Sequence, residues 1–515
     1  MDFEVKVTDL AGRVGRFNVG GRWLETPIYL PVVHPINQVI PTSELYKMGF
    51  KAVITNAYIT YRRYGESGKE LGIHRIIGYD GVVMTDSGGY QMLEYGDVAV
   101  PPRVMAEYQR DIGSDIAVIL DTPTGYKTKR ERAEETVKLT LKATEESLDV
   151  LNEEDGPLWA GPIQGGDHLD LVTYSAKTMS KFPFDLYAIG SPVEIMNSYD
   201  FKTLVDIVMT AKRNLPYGKP AHLFGAGHPL TMALAVAMGC DMFDSASYIL
   251  FAKEGRYMTF HGVKKFEEMD YLPCSCPVCS KGKEYLKDLP RGEQVKMLAM
   301  HNLYLLRAEM EAIKLAIREG RLWEYIIVKS KSHPALHKAI LHLFSRKEYL
   351  DRLEEETPVF KDRAIFLFDR LDVNRPEVRR HRERLRELKF QHKKAIFLVL
   401  EEGDVPIFLK IRRNMEKFLS KEHAFFISSK FFGPIPLEVH DVFPLSQNTV
   451  SEIDEMDEEV EDSYRRLLKQ FEEVGIMFEK GKGREAAQLL KLINSMGKET
   501  KMIGPVKVLK ALDQV

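Results

Sequence analysis

Eight short β-branched or apolar runs punctuate the first half of the chain: Thr26–Val33, Lys51–Thr55, Gly81–Thr85, Ile116–Asp121, Leu158–Gln164, Leu186–Gly190, Ala221–Phe224 and Asp241–Ser245. Between several of them lie amphipathic segments such as Lys129–Asn152 and Tyr199–Leu215, long enough to carry a crossover between parallel strands. Eight strands alternating with helices favour a closed parallel barrel, the (β/α)8 TIM barrel, over an open doubly wound sheet. A hydrophobic fraction of 44% over 515 residues supplies core for two to four domains and excludes disordered and small disulfide-scaffold classes. The spacing predicts an α/β barrel with a zinc-binding insertion over 1–345, then smaller α+β C-terminal domains. These are an α+β domain over 346–450 and a mainly helical one over 451–515.

The four cysteines are unevenly placed. Cys274-x-Cys276-x-x-Cys279 crowds three thiols into one loop after the eighth strand, while Cys240 stands alone as a small buried hydrophobe. Three thiolates and one imidazole complete a tetrahedral zinc site with no open position, which makes the metal structural. Two histidines compete for the fourth place, His301 on the following helix and His261.

Most of the other unusual clusters sit just past a strand's C-terminal end, where a parallel barrel converges on one mouth. Asp86, Asp121 and Asp244 each end a predicted strand. A helix N-cap accounts for one such aspartate, but not readily for three beside glycines that let a ligand approach the backbone. Paired carboxylates suit displacement at a sugar carbon, one attacking while the other handles protons on leaving and entering groups. Asp121, Gln164 and the amides of Gly165 and Gly190 could then read the polar edge of a flat ligand, with Tyr90 and Phe224 offering aromatic faces.

Lys+Arg of 72 against Asp+Glu of 75 leaves a net charge of −3, so any nucleic acid must be held by a local basic surface. Arg375–Lys394, with nine Lys/Arg against three Asp/Glu, is the candidate for phosphate contacts; its plainer reading is a solvated charged helix. No phosphate loop or dinucleotide fingerprint is present. Apolar runs such as Ala233–Met238 and Ala395–Leu400 fall short of the about 20 residues of a membrane span, and Met1-Asp-Phe-Glu-Val lacks a signal-peptide core. A cytoplasmic protein is expected.

At these residues the sequence resembles the tRNA-guanine transglycosylases, most closely the archaeal branch (archaeosine tRNA-ribosyltransferases). The matching strings are Thr85-Asp-Ser-Gly-Gly-Tyr-Gln91, Gly161-Pro-Ile-Gln-Gly-Gly166, Ala188-Ile-Gly-Ser-Pro-Val193, Phe224-Gly-Ala-Gly-His228, Asp241-Met-Phe-Asp-Ser-Ala-Ser247 and Cys274-x-Cys276-x-x-Cys279 with His301. A further string, Phe432 to Gln447, looks like one in the first C-terminal domain of archaeal members. Many such members end in a PUA-type RNA-binding domain. This chain resembles a form lacking it, with a separate PUA-type protein as a possible partner.

The resemblance implies a pentosyltransferase exchanging guanine at position 15, in the D-arm of tRNA, for 7-cyano-7-deazaguanine on the way to archaeosine. It makes Asp244 the nucleophile and Asp86 the acid/base group. Asp121, Gln164, Gly165 and Gly190 recognise the base, with Ser87 and Ser191 close by. Tyr90 and Phe224 sandwich the ring, and Pro192 and Val193 border a niche for the nitrile. Cys274, Cys276, Cys279 and His301 hold zinc, and a homodimer is implied. Two competing readings are an archaeosine synthase-like paralogue acting on the nitrile of already modified tRNA, and a non-catalytic tRNA-binding subunit. The intact pair Asp86 and Asp244 argues against both.

Overall fold

The computed structural model describes residues 3–89, 100–190, 192–400, 423–451, 453 and 455–503. The chain divides into two compact units, Met1–Arg352 and Leu353–Val515.

The first unit is built on eight parallel strands: β4 (Ile28–Pro31), β5 (Ala52–Asn56), β6 (Val82–Asp86), β7 (Ile116–Val118), β8 (Leu158–Ile163), β9 (Leu186–Ile189), β10 (Ala221–Leu223) and β11 (Met242–Ser245). They follow one another around a single sheet, and β11 pairs in parallel with β4. A parallel bridge between Val32 and Ile54, with the Val33 amide donating to the Ile54 carbonyl at 2.8 Å, brings the two ends together. All eight expected runs become barrel strands, in order. Each is buried on both faces by the barrel interior and the surrounding helices, so it reads as an uninterrupted apolar run. The helices Arg130–Glu146 and Phe201–Asn214 fill the crossovers expected of Lys129–Asn152 and Tyr199–Leu215.

Preceding the barrel is an antiparallel sheet that the sequence pattern did not announce: β1 (Phe3–Asp9), β2 (Gly12–Val19) and β3 (Arg22–Thr26). Phe17, Val19 and Leu24 of this sheet share one buried cluster with Ala52, Val82, Ile116 and Leu186. Those four stand at the starts of barrel strands, so the sheet closes the end opposite the mouth. Arg13 on β2 is fully buried; it ion-pairs with Asp241 and donates to the carbonyls of Tyr217 and Lys219. After β11 come a hairpin of β12 (Arg256–Thr259) and β13 (Gly262–Lys265), the cysteine loop, and the long helix Arg291–Arg318.

The second unit holds β14 (Ile365–Leu367), β15 (Lys394–Val399), β16 (His423–Ser429), β17 (Gly433–Pro436), β18 (Asn448–Val450), β19 (Glu473–Phe478) and β20 (Glu499–Ile503). Its main sheet runs β17-β16-β15-β19-β20, parallel except for β17. The expected division at about residue 450 is therefore not a break in packing. β19 and β20, from the segment expected to be mainly helical, pair with β15 from the preceding one, because Val474, Ile476 and Met477 are buried in the same core as Phe397 and Phe426.

The basic stretch also differs from expectation. Arg375, just before helix Pro376–Glu387, and Arg382 on it are buried; Arg375 pairs with Glu377 at 3.3 Å and Arg382 with Glu459 at 2.8 Å. Arg379 pairs with Glu354 at 3.1 Å, Arg380 donates to the carbonyls of Glu354, Thr357 and Pro358, and Arg386 pairs with Glu383. Lys393 and Lys394 meet Glu472 and Glu473. Arg375, Arg379, Arg380 and Arg382 are thus held within the unit, while Arg384, Arg386, Lys389 and Lys393 stay exposed and keep the candidate phosphate surface to that smaller set. Among the described residues no helix is long and apolar enough to cross a membrane.

Candidate active site and metal centre

Parallel strands deliver their last residues to one end, and most of the candidate side chains stand there. Asp86 ends β6, Asp244 is the third residue of β11, Gln164 and Gly190 immediately follow β8 and β9, Phe224 follows β10, and Asp121 lies three residues past β7. Asp86 and Asp121 are partly buried; Asp244 is buried. Burial pushes the Asp86 carboxyl up to about 7; the charge of Asp121, and then that of Asp244, pushes the same way, against hydrogen bonds from the Gly88 and Ser87 amides. Asp121 is pushed up to about 6 by burial, opposed by its hydrogen bond from Gln164. Burial thus raises the proton affinity of two carboxyls, Asp86 and Asp121, at one mouth.

The neighbours of each aspartate are fixed by short-range geometry. Asn56, the last residue of β5, caps the next helix by accepting from the Ile59 amide at 2.8 Å, and its amide nitrogen lies 3.4 Å from Asp86 Oδ2. Gln164 donates to Asp121 Oδ2 at 2.6 Å and accepts from the Thr124 amide at 2.9 Å, so both ends of its side chain are held. Gly89 packs so close to Asp121 that a Cβ there would lie 2.3 Å from the Asp121 carbonyl oxygen. Gly190 packs as closely on Gln164, where a Cβ would lie 2.5 Å from Nε2. At Asp244, Oδ1 accepts from His222 Nε2 at 2.8 Å and from the Gly225 amide at 3.0 Å.

The hydrogen bonding bears on the two glycine amides expected to read the ligand edge. The Gly165 amide donates to Thr124 Oγ1 at 3.2 Å and the Gly190 amide to the Ile163 carbonyl at 3.0 Å, so neither is a free donor for a ligand edge. Ser87 is fully buried and its hydroxyl donates to the Ile119 carbonyl at 3.1 Å. Phe224 is partly exposed, with its ring 4.8 Å from that of His222. Pro192 is buried and Val193 exposed, its Cγ2 lying 2.3 Å from where a Cβ on Gly225 would be. Tyr90 and Ser191 lie outside the described residues.

His222 and Asn56 were not singled out by the sequence reading. The signal for His222 was a polar residue inside the three-residue strand Ala221–Leu223; its register opposite Met242 places it on the same side as Asp244, two residues on.

The cysteine loop and the long helix converge as the spacing suggested. The ligand atoms of Cys274, Cys276, Cys279 and His301 all lie within 4.8 Å of one another, a fit for a tetrahedral S₃N site with bonds of about 2.3 and 2.0 Å. His301 Nδ1 faces the thiols, 3.3 Å from Cys279 Sγ and 3.5 Å from Cys276 Sγ, while its Nε2–H donates to the Met258 carbonyl at 2.9 Å. That outer contact fixes the tautomer that leaves the Nδ1 lone pair for a metal. Tyr257 stacks on His301 at 3.6 Å and its hydroxyl lies 3.2 Å from Cys279 Sγ. His261 instead bonds Ser332 at 2.9 Å. The four side chains form a site able to hold a metal ion, closed to substrate by its complete ligand set.

Residues 9–335 match the family described as queuine tRNA-ribosyltransferase. Among curated relatives, the tRNA-guanine(15) transglycosylase of Saccharolobus solfataricus is 40% identical over 484 residues, covering 91% of this chain and 94% of that protein. The protein of the same name from Sulfolobus acidocaldarius is 38% identical over 473 residues, 91% of this chain and 92% of its own length. That of Aeropyrum pernix is 47% identical over 355 residues, 68% of each chain. With a match spanning the barrel, its mouth and the cysteine loop, this chain belongs to the queuine tRNA-ribosyltransferase family.

Proposed function

We propose that the protein is a tRNA-guanine(15) transglycosylase that exchanges guanine in the D-arm of tRNA for 7-cyano-7-deazaguanine, through a covalent aspartyl-ribose intermediate, in archaeosine biosynthesis. The observation that carries this reading is the pairing at one barrel mouth of Asp244, held in place through Oδ1, with Asp86, whose proton is retained up to about 7.

In the first half-reaction an Asp244 oxygen bonds to the ribose C1′ as the C1′–N9 bond breaks, and the electron pair leaves with guanine. Protonated Asp86 supplies the proton the departing base needs. In the second half the incoming base returns a proton to Asp86 as its N9 attacks C1′ and Asp244 is released. Two inversions give retention, and the glycosidic bond energy is conserved in the ester, so no nucleotide hydrolysis is required. A carboxyl poised near neutrality is suited to both donating and accepting.

Asp121, oriented by Gln164, takes the base edge. Phe224, with Tyr90, brackets the ring. Gly165 and Gly190 bring the pocket wall close. Pro192 and Val193 border the nitrile. Cys274, Cys276, Cys279 and His301 hold zinc, which pins the loop after the barrel to the helix Arg291–Arg318 and takes no part in the chemistry. The protein works in the cytoplasm as a homodimer.

The test is incubation of the purified protein with unmodified tRNA and either 7-cyano- or 7-aminomethyl-7-deazaguanine, followed by nucleoside mass spectrometry. Insertion of the cyano base at position 15, lost in Asp244→Ala with metal content intact, is the expected result. Unchanged tRNA overturns the reading, and insertion of the aminomethyl base in the anticodon replaces its substrate.

A further inference from the structure

We infer that His222 is a positioning residue that donates from Nε2–H to Asp244 Oδ1, thereby selecting Oδ2 as the attacking atom and stabilising the carboxylate when it departs. The inference rests on the proposed role of Asp244 as the nucleophile.

The contact is built into the barrel wall. His222 is the central residue of β10, fully buried, and Met242 is its neighbour across the parallel ladder. Asp244 stands two residues further along β11, on the side shared by Met242. The diagonal reach closes at 2.8 Å, and the Gly225 amide adds a second donor to the same oxygen at 3.0 Å. A carboxylate only accepts, so His222 presents Nε2–H. Its Nδ1 is buried without a hydrogen-bond partner among the described residues, which suits a bare ring nitrogen and not the second N–H of an imidazolium. The ring is held further by Phe224 at 4.8 Å.

Two donors on Oδ1 leave its charge partly compensated and direct the lone pairs of Oδ2 to C1′. Once the Oδ2–C1′ bond has formed, Oδ1 is an ester carbonyl and its two hydrogen bonds weaken. As the incoming base expels Asp244, the C1′–Oδ2 electron pair returns to the carboxylate and both hydrogen bonds strengthen. Interactions that grow toward a transition state accelerate that step, so His222 acts chiefly on breakdown of the intermediate.

The test compares His222→Phe, which keeps a flat apolar ring, with His222→Gln, which restores an N–H donor of similar reach. Loss of one charge-assisted hydrogen bond predicts about a 10- to 100-fold fall in turnover for His222→Phe, with the KM for guanine unchanged. The fraction of enzyme recovered as a denaturant-stable tRNA adduct rises, and His222→Gln recovers much of the rate. Turnover within about twofold of wild type in His222→Phe overturns the inference. So does a parallel fall of turnover and adduct in both variants, the pattern of simple disruption. A second readout does not depend on base exchange: ¹⁵N NMR of histidine-labelled wild-type protein should show a neutral Nε2–H His222 whose shifts move in Asp244→Asn. An Nδ1–H tautomer, or signals indifferent to Asp244→Asn, overturns it. Absence of any base exchange by the wild-type protein would instead fail the proposed function, with the NMR result still deciding the contact.

Discussion

Replacing Asp86 by Asn should make the barrel unit progressively more stable than wild type as the pH is raised. An unfolded chain ionises Asp86 above about pH 4, whereas the folded site retains the proton up to about 7, mainly because ionisation there means burying a charge beside Asp121. Between those limits the folded state binds more protons than the unfolded state, so this group's contribution to stability falls as pH rises and is fully lost above 7. The difference between 3.8 and about 7 corresponds to a cost of about 4 kcal/mol at alkaline pH. For a unit spanning Met1–Arg352, it amounts to about 5 °C in melting temperature.

Asn stays neutral and can still accept from the Gly88 or Ser87 amide, so any fixed effect of the substitution is the same at every pH. Differential scanning calorimetry of both proteins at pH 4.5 and 8.5 isolates the pH-dependent part. The melting temperature of Asp86→Asn relative to wild type should rise by about 4 °C between the two, because part of the cost is already present at pH 4.5. A constant gap, or one that narrows with rising pH, would refute the claim that the folded mouth holds Asp86 protonated near neutrality.

Gly190→Ala places a methyl 2.5 Å from Gln164 Nε2 and should push that amide off Asp121, raising the KM for guanine about tenfold or more with the fold intact. An unchanged KM would detach Gln164 and Asp121 from base recognition. Arg13→Met strands buried Asp241 and should cost about 3–5 kcal/mol in barrel unfolding, while Arg13→Met with Asp241→Leu recovers most of it; a double loss equal to the sum of the two single losses would mean the pair is not coupled. Tyr257→Phe keeps the stack on His301 but removes the hydroxyl 3.2 Å from Cys279 Sγ, and chelator competition should read about a tenfold loss of zinc affinity. No loss would make that hydroxyl a bystander.

The barrel was legible because each strand's burial on two faces leaves an apolar run in the sequence itself. The thiol loop was legible because its three cysteines are close in sequence. Spacing alone left His301 and His261 open and the family resemblance favoured His301; the fold gives the reason, bringing the helix Arg291–Arg318 to the loop and sending His261 to Ser332. His222 escaped notice for a related reason: its meeting with Asp244 depends on the register between β10 and β11, which neither strand encodes alone.

The basic segment was only partly legible because charge counted along a segment ignores carboxylates brought from elsewhere. Glu354, Glu459, Glu472 and Glu473 come from outside Arg375–Lys394 and engage its cations. The amides of Gly165 and Gly190 misled in the same way, because whether an N–H is free depends on the acceptor folded against it.

The most direct test of the account is mass spectrometry of the protein after incubation with tRNA under conditions that trap the intermediate. Wild-type protein should yield a protein–RNA species whose crosslinked peptide carries ribose on Asp244, and Asp244→Asn should yield none. Ribose attached to Asp86, or base exchange by Asp244→Asn at the wild-type rate, would contradict it.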